Sequence, residues 1–309
     1  MAASDEQQST QDVRAGTALK VFLLSSLQKS DRNDMPIEPT ICTEVIRDAL
    51  ERSGYLMKSR VVRALADADF FVEPNVGHRP LHGVVRSIDL TAEAAGRINH
   101  PGTCVKTTFV LQTINNDYPV VLLTERPSTP NADFESYVKF GTSPVPCPFF
   151  DQFHIYDERS ADWHNLFSEI CALVKEQESG EFIASRSSNL YSSLLNASQY
   201  TEDEVTAFEE WVSESSEQYW RLFFWHPMIV VSGQLLTAKV TGCEAVQLQE
   251  VPLARLEFNW QDGDDRNTTI VEIVREDFLL ERLESIREQD YAIEARIHEI
   301  KVGGKPGRA

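Results

Sequence analysis

Asp89 closes the stretch Gly83-Val84-Val85-Arg86-Ser87-Ile88-Asp89-Leu90, and the run Thr107–Asn116 that follows contains Gln112-Thr113-Ile114. An Asp at the end of one hairpin strand and Glu-x-Lys on the next would clasp a divalent ion between two carboxylates. The lysine would then activate or orient an attacking water. Residues two apart on a strand share a face, so Gln112 and Ile114 are both expected to point where Asp89 points. At those two places this chain has an amide and an aliphatic side chain. Gln112 can still offer a carbonyl oxygen to a hard cation, whereas Ile114 cannot handle a proton. The pattern is that of a hydrolytic metal site from which most of the catalysts are missing.

Holding these residues requires a sheet and covering helices. Ile41, Val45, Ile46, Ala49 and Leu50 predict a helix over 40–52 that Gly54 would end, and Met57, Val61, Ala64, Leu65 and Ala68 predict a second over 56–68. Short runs rich in Val, Ile and Phe then predict strands at 70–76, 84–92, 105–113 and 120–124, the last two joined by a tight turn at Asn115-Asn116-Asp117-Tyr118-Pro119. A helix over 161–176 is expected to cover them. Further on, an acidic helix is expected over 202–220, ending in the aromatic cluster 219–225 that reads as core. Strands follow at 227–232, 245–249, 252–260 and 268–274, then a closing helix over 276–300 whose apolar stripe is expected to dock on the chain's own sheet. Asp262-Gly263-Asp264-Asp265 lacks the later bidentate acid of a calcium loop and reads as a hairpin turn.

The segments Gly54-Tyr55-Leu56-Met57-Lys58, Phe70–Val76, Arg86-Ser87-Ile88-Asp89-Leu90, Phe109–Asn116 and Pro119-Val120-Val121 resemble, in order and spacing, the restriction-endonuclease-like or PD-(D/E)XK superfamily. The likeness is to its bacterial branch, with a Gly-Tyr-x-x-Glu opening to the first core helix. It spans about residues 54–126 and continues more loosely through 225–235 and 271–275. It implies an α/β fold, a restriction-endonuclease-like mixed sheet flanked by helices with a C-terminal α+β extension. It also implies that Asp89 stands at the metal aspartate, Gln112 at the glutamate, Ile114 at the lysine and Lys58 at the helix glutamate. Three of the four depart from the pattern, and a lysine at position 58 would repel the ion. Either Lys58 pairs with Asp89 in a dead pocket, or it has migrated to supply the missing ammonium, with Glu73 or Glu93 moving in as a carboxylate.

The composition, 42% hydrophobic and 25% charged in 309 residues, is that of a globular chain with about two domains. The division expected is a leader over 1–15, a nuclease-like core over 16–180 and a C-terminal portion over 181–309 packed on or extending that core. With no apolar run near the ~20 residues of a bilayer span and no signal-like start, the expectation is a cytoplasmic chain without membrane contact. A net charge of -19 argues against a free-standing nucleic-acid binder, although residues 54–150 hold nine basic and nine acidic side chains. Five widely spaced cysteines without a C-x-x-C pair predict neither disulfides nor a structural metal, and Pro101 and Gly102 argue against His100 and Cys104 as a helical ligand pair. His78, His82, His154 and His164 offer no triad, and no phosphate-binding glycine loop is present.

The favoured reading is a catalytically degenerate scaffold that serves as a binding or assembly module, with a protein partner and, in keeping with the family, nucleic-acid-processing or defence associates. It needs no cofactor. An active nuclease using Asp89, Gln112 and Lys58 with Mg²⁺ or Mn²⁺ is one alternative, and an acidic protein-protein adaptor without nucleic-acid contact is another. Homo-oligomerisation is compatible with each.

Overall fold

The computed structural model describes residues 41–78, 86–94, 100, 102–126, 139–143, 166–212, 220–241, 245–262 and 265–303. The chain divides into two units, Met1–Ile46 and Arg47–Ala309. Of the first, the described part is residues 41–46, at the start of helix α1 (Thr43–Arg52); all further elements belong to the second. The protein is α/β; among the described residues it has a twelve-stranded mixed sheet flanked by helices.

Helix α2 (Tyr55–Asp67) buries Met57, Val61 and Leu65 at helical spacing. It starts at Gly54, whose backbone is left-handed at φ 81. Strands β1 (Phe70–His78), β2 (Arg86–Ala94) and β3 (Thr103–Ile114) form the expected antiparallel meander. β4 (Val120–Arg126) was expected next to it. It lies elsewhere in the sheet, antiparallel to β6 (Leu166–Lys175) and parallel to β9 (Leu235–Thr241). The place beside β3 belongs to β8 (Trp220–Val231), which runs parallel to β3 along its whole length, from Thr103 opposite Trp220 to Ile114 opposite Val231. β8 also pairs in parallel with β12 (Asp265–Arg275) and antiparallel with β5 (Lys139–Ser143). β12 closes a hairpin with β11 (Leu253–Asp262) in which Asp262 faces Asp265, as the turn reading requires. β11 continues to β6, which also carries β7 (Phe182–Ser185), and β9 ends in a hairpin with β10 (Ala245–Glu250). Residues beyond 180 therefore supply strands to the middle of the same sheet.

Two clusters of buried side chains lie on the two sides of the sheet's centre. One joins Met57, Val61 and Leu65 of α2 with Phe109, Leu111, Met228 and Val230, and with Leu279, Leu283 and Ile286 of α4 (Leu279–Gly303). The other joins Val110, Ile114, Ile229, Val231 and Ile273 with Leu190, Leu194 and Ala197 of α3 (Ser188–Val212). β3 and β8 are buried on both faces, which explains their unbroken apolar runs. The closing helix does dock on the chain's own sheet, burying Leu283, Ile286, Ile293, Ile297 and Ile300.

One expected helix fails. The helix over 161–176 is strand β6 from Leu166 onward, 161–165 lying outside the described residues. Leu166-Phe167 and Ile170–Val174 satisfy both a helical and a strand period, and pairing with β4 and β11 decides between them. The acidic helix expected over 202–220 is present as the latter part of α3, described to Val212; 213–219 lie outside the described residues, and Trp220 belongs to β8 instead. The aromatic cluster is core as read: Phe224 and Trp225 are buried, and Phe208 of α3 sits edge-on against Phe223 and Trp225.

Candidate functional site

The site grows out of a break in the side-chain alternation of β2. β1 and β2 pair from Phe70 opposite Ala94 to Pro74 opposite Leu90, and again from Val76 opposite Ile88; between them Asn75 takes a left-handed backbone, φ 56. Asn tolerates that region better than most residues. The alternation of β2 breaks here: Ile88 belongs to the α3-side cluster and Leu90, two residues on, to the α2-side cluster. Asp89 sits at the break.

Its carboxylate is fully engaged. Thr113 donates to Oδ2 twice, from its backbone N–H at 2.8 Å and from its hydroxyl at 2.9 Å. Lys58 Nζ donates to Oδ1 at 3.0 Å and also to Asn75 Oδ1 at 2.7 Å. Lys58 follows the buried Met57 on α2, so helix packing aims it into the meander. The two charged side chains are 17% and 25% exposed, half-buried and tied into one constellation of Lys58, Asn75, Asp89 and Thr113. Of the expected residues, Asp89 and Lys58 are brought together. Asn75 and Thr113 were missed, although Pro-Asn inside a strand run signals a departure from regular pairing.

Gln112 and Ile114 do not share Asp89's face, which corrects the expectation from alternation. Ile114 packs with Val110, Val120 and Val231 on the α3 side, while Thr113 is the residue that meets Asp89. Gln112 is buried and donates from Nε2 to the Ser87 carbonyl at 3.2 Å. The break in alternation at Asp89 accounts for this, since it puts that one side chain on the face of Thr113, opposite to the one simple alternation assigns. Nor, among the described residues, does a second carboxylate arrive. Glu93 is held by the Thr108 hydroxyl at 2.8 Å and by Lys106, and Glu73 is exposed on the edge strand β1. The donor set does not fit a divalent ion: one carboxylate already carrying three hydrogen bonds, with an ammonium where the metal would sit. Among the described residues no three His, Cys, Asp or Glu side chains gather as a metal-binding group. The side chains of His78, His82, His154 and His164 lie outside the described residues; His100, read as no ligand, stacks on His298 at 4.6 Å.

The carboxyl ends of the parallel strands β8 and β12 open onto a cleft of about 680 Å³, lined by Arg60, Val61, Gly233, Arg275, Glu276 and Leu279 among others. Such ends are common ligand positions in α/β sheets. Its guanidiniums are spent on carboxylates: Arg60 makes a two-point contact with Glu276 at 2.7 and 2.8 Å, and Arg275 reaches Glu250 at 2.6 Å and Asp277 at 2.9 Å. The hydrogen bond from Arg275 holds the Asp277 carboxyl below the usual range. The rim is tied to the β3–β4 turn, because Ser232 donates to Asn115 and a Cβ on Gly233 would stand 2.7 Å from the Asn116 carbonyl oxygen. Gly233→Ala should therefore lower stability by roughly 1–3 kcal/mol, an overpacking cost against backbone that cannot yield. A urea midpoint equal to wild type would contradict that contact.

A second polar cluster, not foreseen, lies under α4. Glu272 of β12 is 1% exposed and accepts from Arg255 Nε at 2.9 Å and from Arg282 at 2.9 and 2.7 Å, with His226 Nε2 3.1 Å away. Burial by itself would raise the carboxyl's pKa, but His226, Arg255 and Arg282 together hold it well below the ordinary value. A charged residue inside the run Val271-Glu272-Ile273-Val274 was the available signal, since a central strand admits such a residue only with partners.

No protein-family model, no curated protein and no solved structure matches this chain.

Proposed function

We propose that this chain is a degenerate member of the restriction-endonuclease-like superfamily that works as a binding or assembly module instead of cutting phosphodiesters. The observation that carries the reading is the Lys58–Asp89 pair. The aspartate that would bind a metal has both oxygens occupied, and the ammonium partnering it is the charge least compatible with a divalent ion beside it. The element order supports it as well: helix α2, the antiparallel meander β1–β2–β3, then α3 and a strand, β8, parallel to β3.

The partner favoured is a protein. Among the described residues, four cations around the meander and the cleft are matched by carboxylates: Lys58 with Asp89, Arg60 with Glu276, Lys106 with Glu93 and Arg275 with Glu250. Affinity for a phosphate backbone rests on lysine and arginine left free to replace counterions. The test is a Mg²⁺ and Mn²⁺ titration of the full chain with mixed DNA and RNA substrates, wild type beside Asp89→Ala. No metal-dependent cleavage in either is expected. Cleavage by wild type that Asp89→Ala abolishes would overturn the reading and establish a nuclease with a relocated lysine. Nucleic-acid binding at low salt that weakens steeply with added salt would replace the protein partner with a polynucleotide.

A further inference from the structure

The two ends of the sheet differ in a way that points to a contact. At one end β1 is guarded as solvent-facing edges are: it carries Glu73, Pro74 and Gly77, and Asn75 bends it. At the other end β10 has, among the described residues, a charged side chain only at its last position, Glu250, and no proline or bend. It hydrogen-bonds to β9 and, among the described residues, to no other strand. Its sequence, Ala245-Val246-Gln247-Leu248-Gln249-Glu250, contains no Pro, Gly or Lys. The outward-facing N–H and C=O groups of such a strand are a template for another strand.

Its side chains fit the same role. Val246 pairs opposite Val240 and Leu248 opposite Ala238, so Val240, Val246 and Leu248 share one face of the hairpin. They are 75%, 60% and 60% exposed. Gln247 and Gln249 alternate on the other face.

We propose that two copies of this chain associate through β10, running antiparallel about a two-fold axis at Gln247 and joining their sheets into one. In that register Val246 of each copy faces Leu248 of the other, and Gln247 faces its own counterpart. A slip by one residue would set each apolar side chain against a glutamine of the opposite face. Charge selects the same occupant. The chain carries -19 overall, so two copies repel nearly everywhere, yet this strip is neutralised internally: Arg275 holds Glu250 at 2.6 Å and Glu125 holds Lys239 at 2.9 Å. From Ala245 to Gln249 the strand carries no charged side chain, so a strongly basic partner would find no carboxylate there and an identical strip meets it without like charges opposite each other. A closed two-fold contact is also the commonest form of self-association.

Sedimentation velocity of the full chain from low micromolar concentration upward tests this. The expected result is a dimer that dissociates on dilution and tightens as salt screens the repulsion between acidic copies. Leu248→Lys and Val246→Lys, both at exposed positions, should each weaken it about tenfold or more with unchanged far-UV circular dichroism. Phe71→Lys, on the guarded edge, should leave it intact. A monomer throughout, a dimer indifferent to both β10 variants, or one that loosens with salt would overturn the proposal. Neither β10 variant touches Asp89 or Lys58, so failure here leaves the pocket reading standing, and the reverse holds too.

Discussion

Glu272→Ala should lower the free energy of unfolding by about 3–5 kcal/mol, because it removes the buried carboxylate on which two buried guanidiniums converge. Arg255 and Arg282 are themselves under a tenth exposed, and both aim at the Glu272 carboxylate. The loss comes from the uncompensated desolvation of buried charge more than from the missing attraction. Replacing Glu272, Arg255 and Arg282 together with apolar residues of similar volume should therefore recover much of it. Guanidinium unfolding of the single and triple variants checks both statements; a single variant within about 1 kcal/mol of wild type would mean that the network carries no charge imbalance. The pH dependence follows in sign. The folded pKa of Glu272 is depressed, so its contribution is present above the ordinary carboxylate value and fades as pH falls through that value toward the lower folded one. Acid unfolding of Glu272→Gln should accordingly show a shallower pH dependence than wild type.

The second large effect distinguishes the observed face of β3 from the one that alternation assigns. Rebuilding Glu-x-Lys by Gln112→Glu with Ile114→Lys should destabilise the protein by several kcal/mol and create no metal site. Ile114 is 7% exposed among Val110, Val120 and Val231, so the new ammonium would enter an apolar cluster on the side of the sheet away from Asp89. Ile114→Leu, which keeps the volume, should cost less than about 1.5 kcal/mol. Calorimetric titration with Mn²⁺ is the deciding measurement. A rebuilt variant that folds like wild type and binds Mn²⁺ would show that positions 112, 114 and 89 converge after all.

How far the chain can be read from its residues follows from the same places. Helix α2 and the meander were legible because their apolar spacing is long and regular and their turns carry Gly, Pro and Asn. The Lys58–Asp89 pair was legible as one of two options, since a lysine on the covering helix and an aspartate on the strand beneath it must either pair or be kept apart. The face of Asp89 was not legible. It depends on one left-handed residue, Asn75, on the neighbouring strand, and no periodicity within β2 or β3 reports it. β6 was misread because its apolar residues fit two periods, and its hydrogen-bond partners lie on β4 and β11, far along the chain. Strand β9 escaped for a related reason: Leu235–Thr241 is short, and its pairing with β4 joins segments more than a hundred positions apart.

The placement of β8 also sets a timetable for biosynthesis. As the chain leaves the ribosome, α2 and the meander emerge early, but the flank of β3 that will carry β8 stays bare until the stretch ending at Val231 has followed. For that interval a strand with Phe109, Val110 and Leu111 in sequence offers unsatisfied backbone to any passing extended segment. A product truncated before Trp220 would keep that bare flank permanently, and inclusion bodies, more than an inert fragment, are its foreseeable fate.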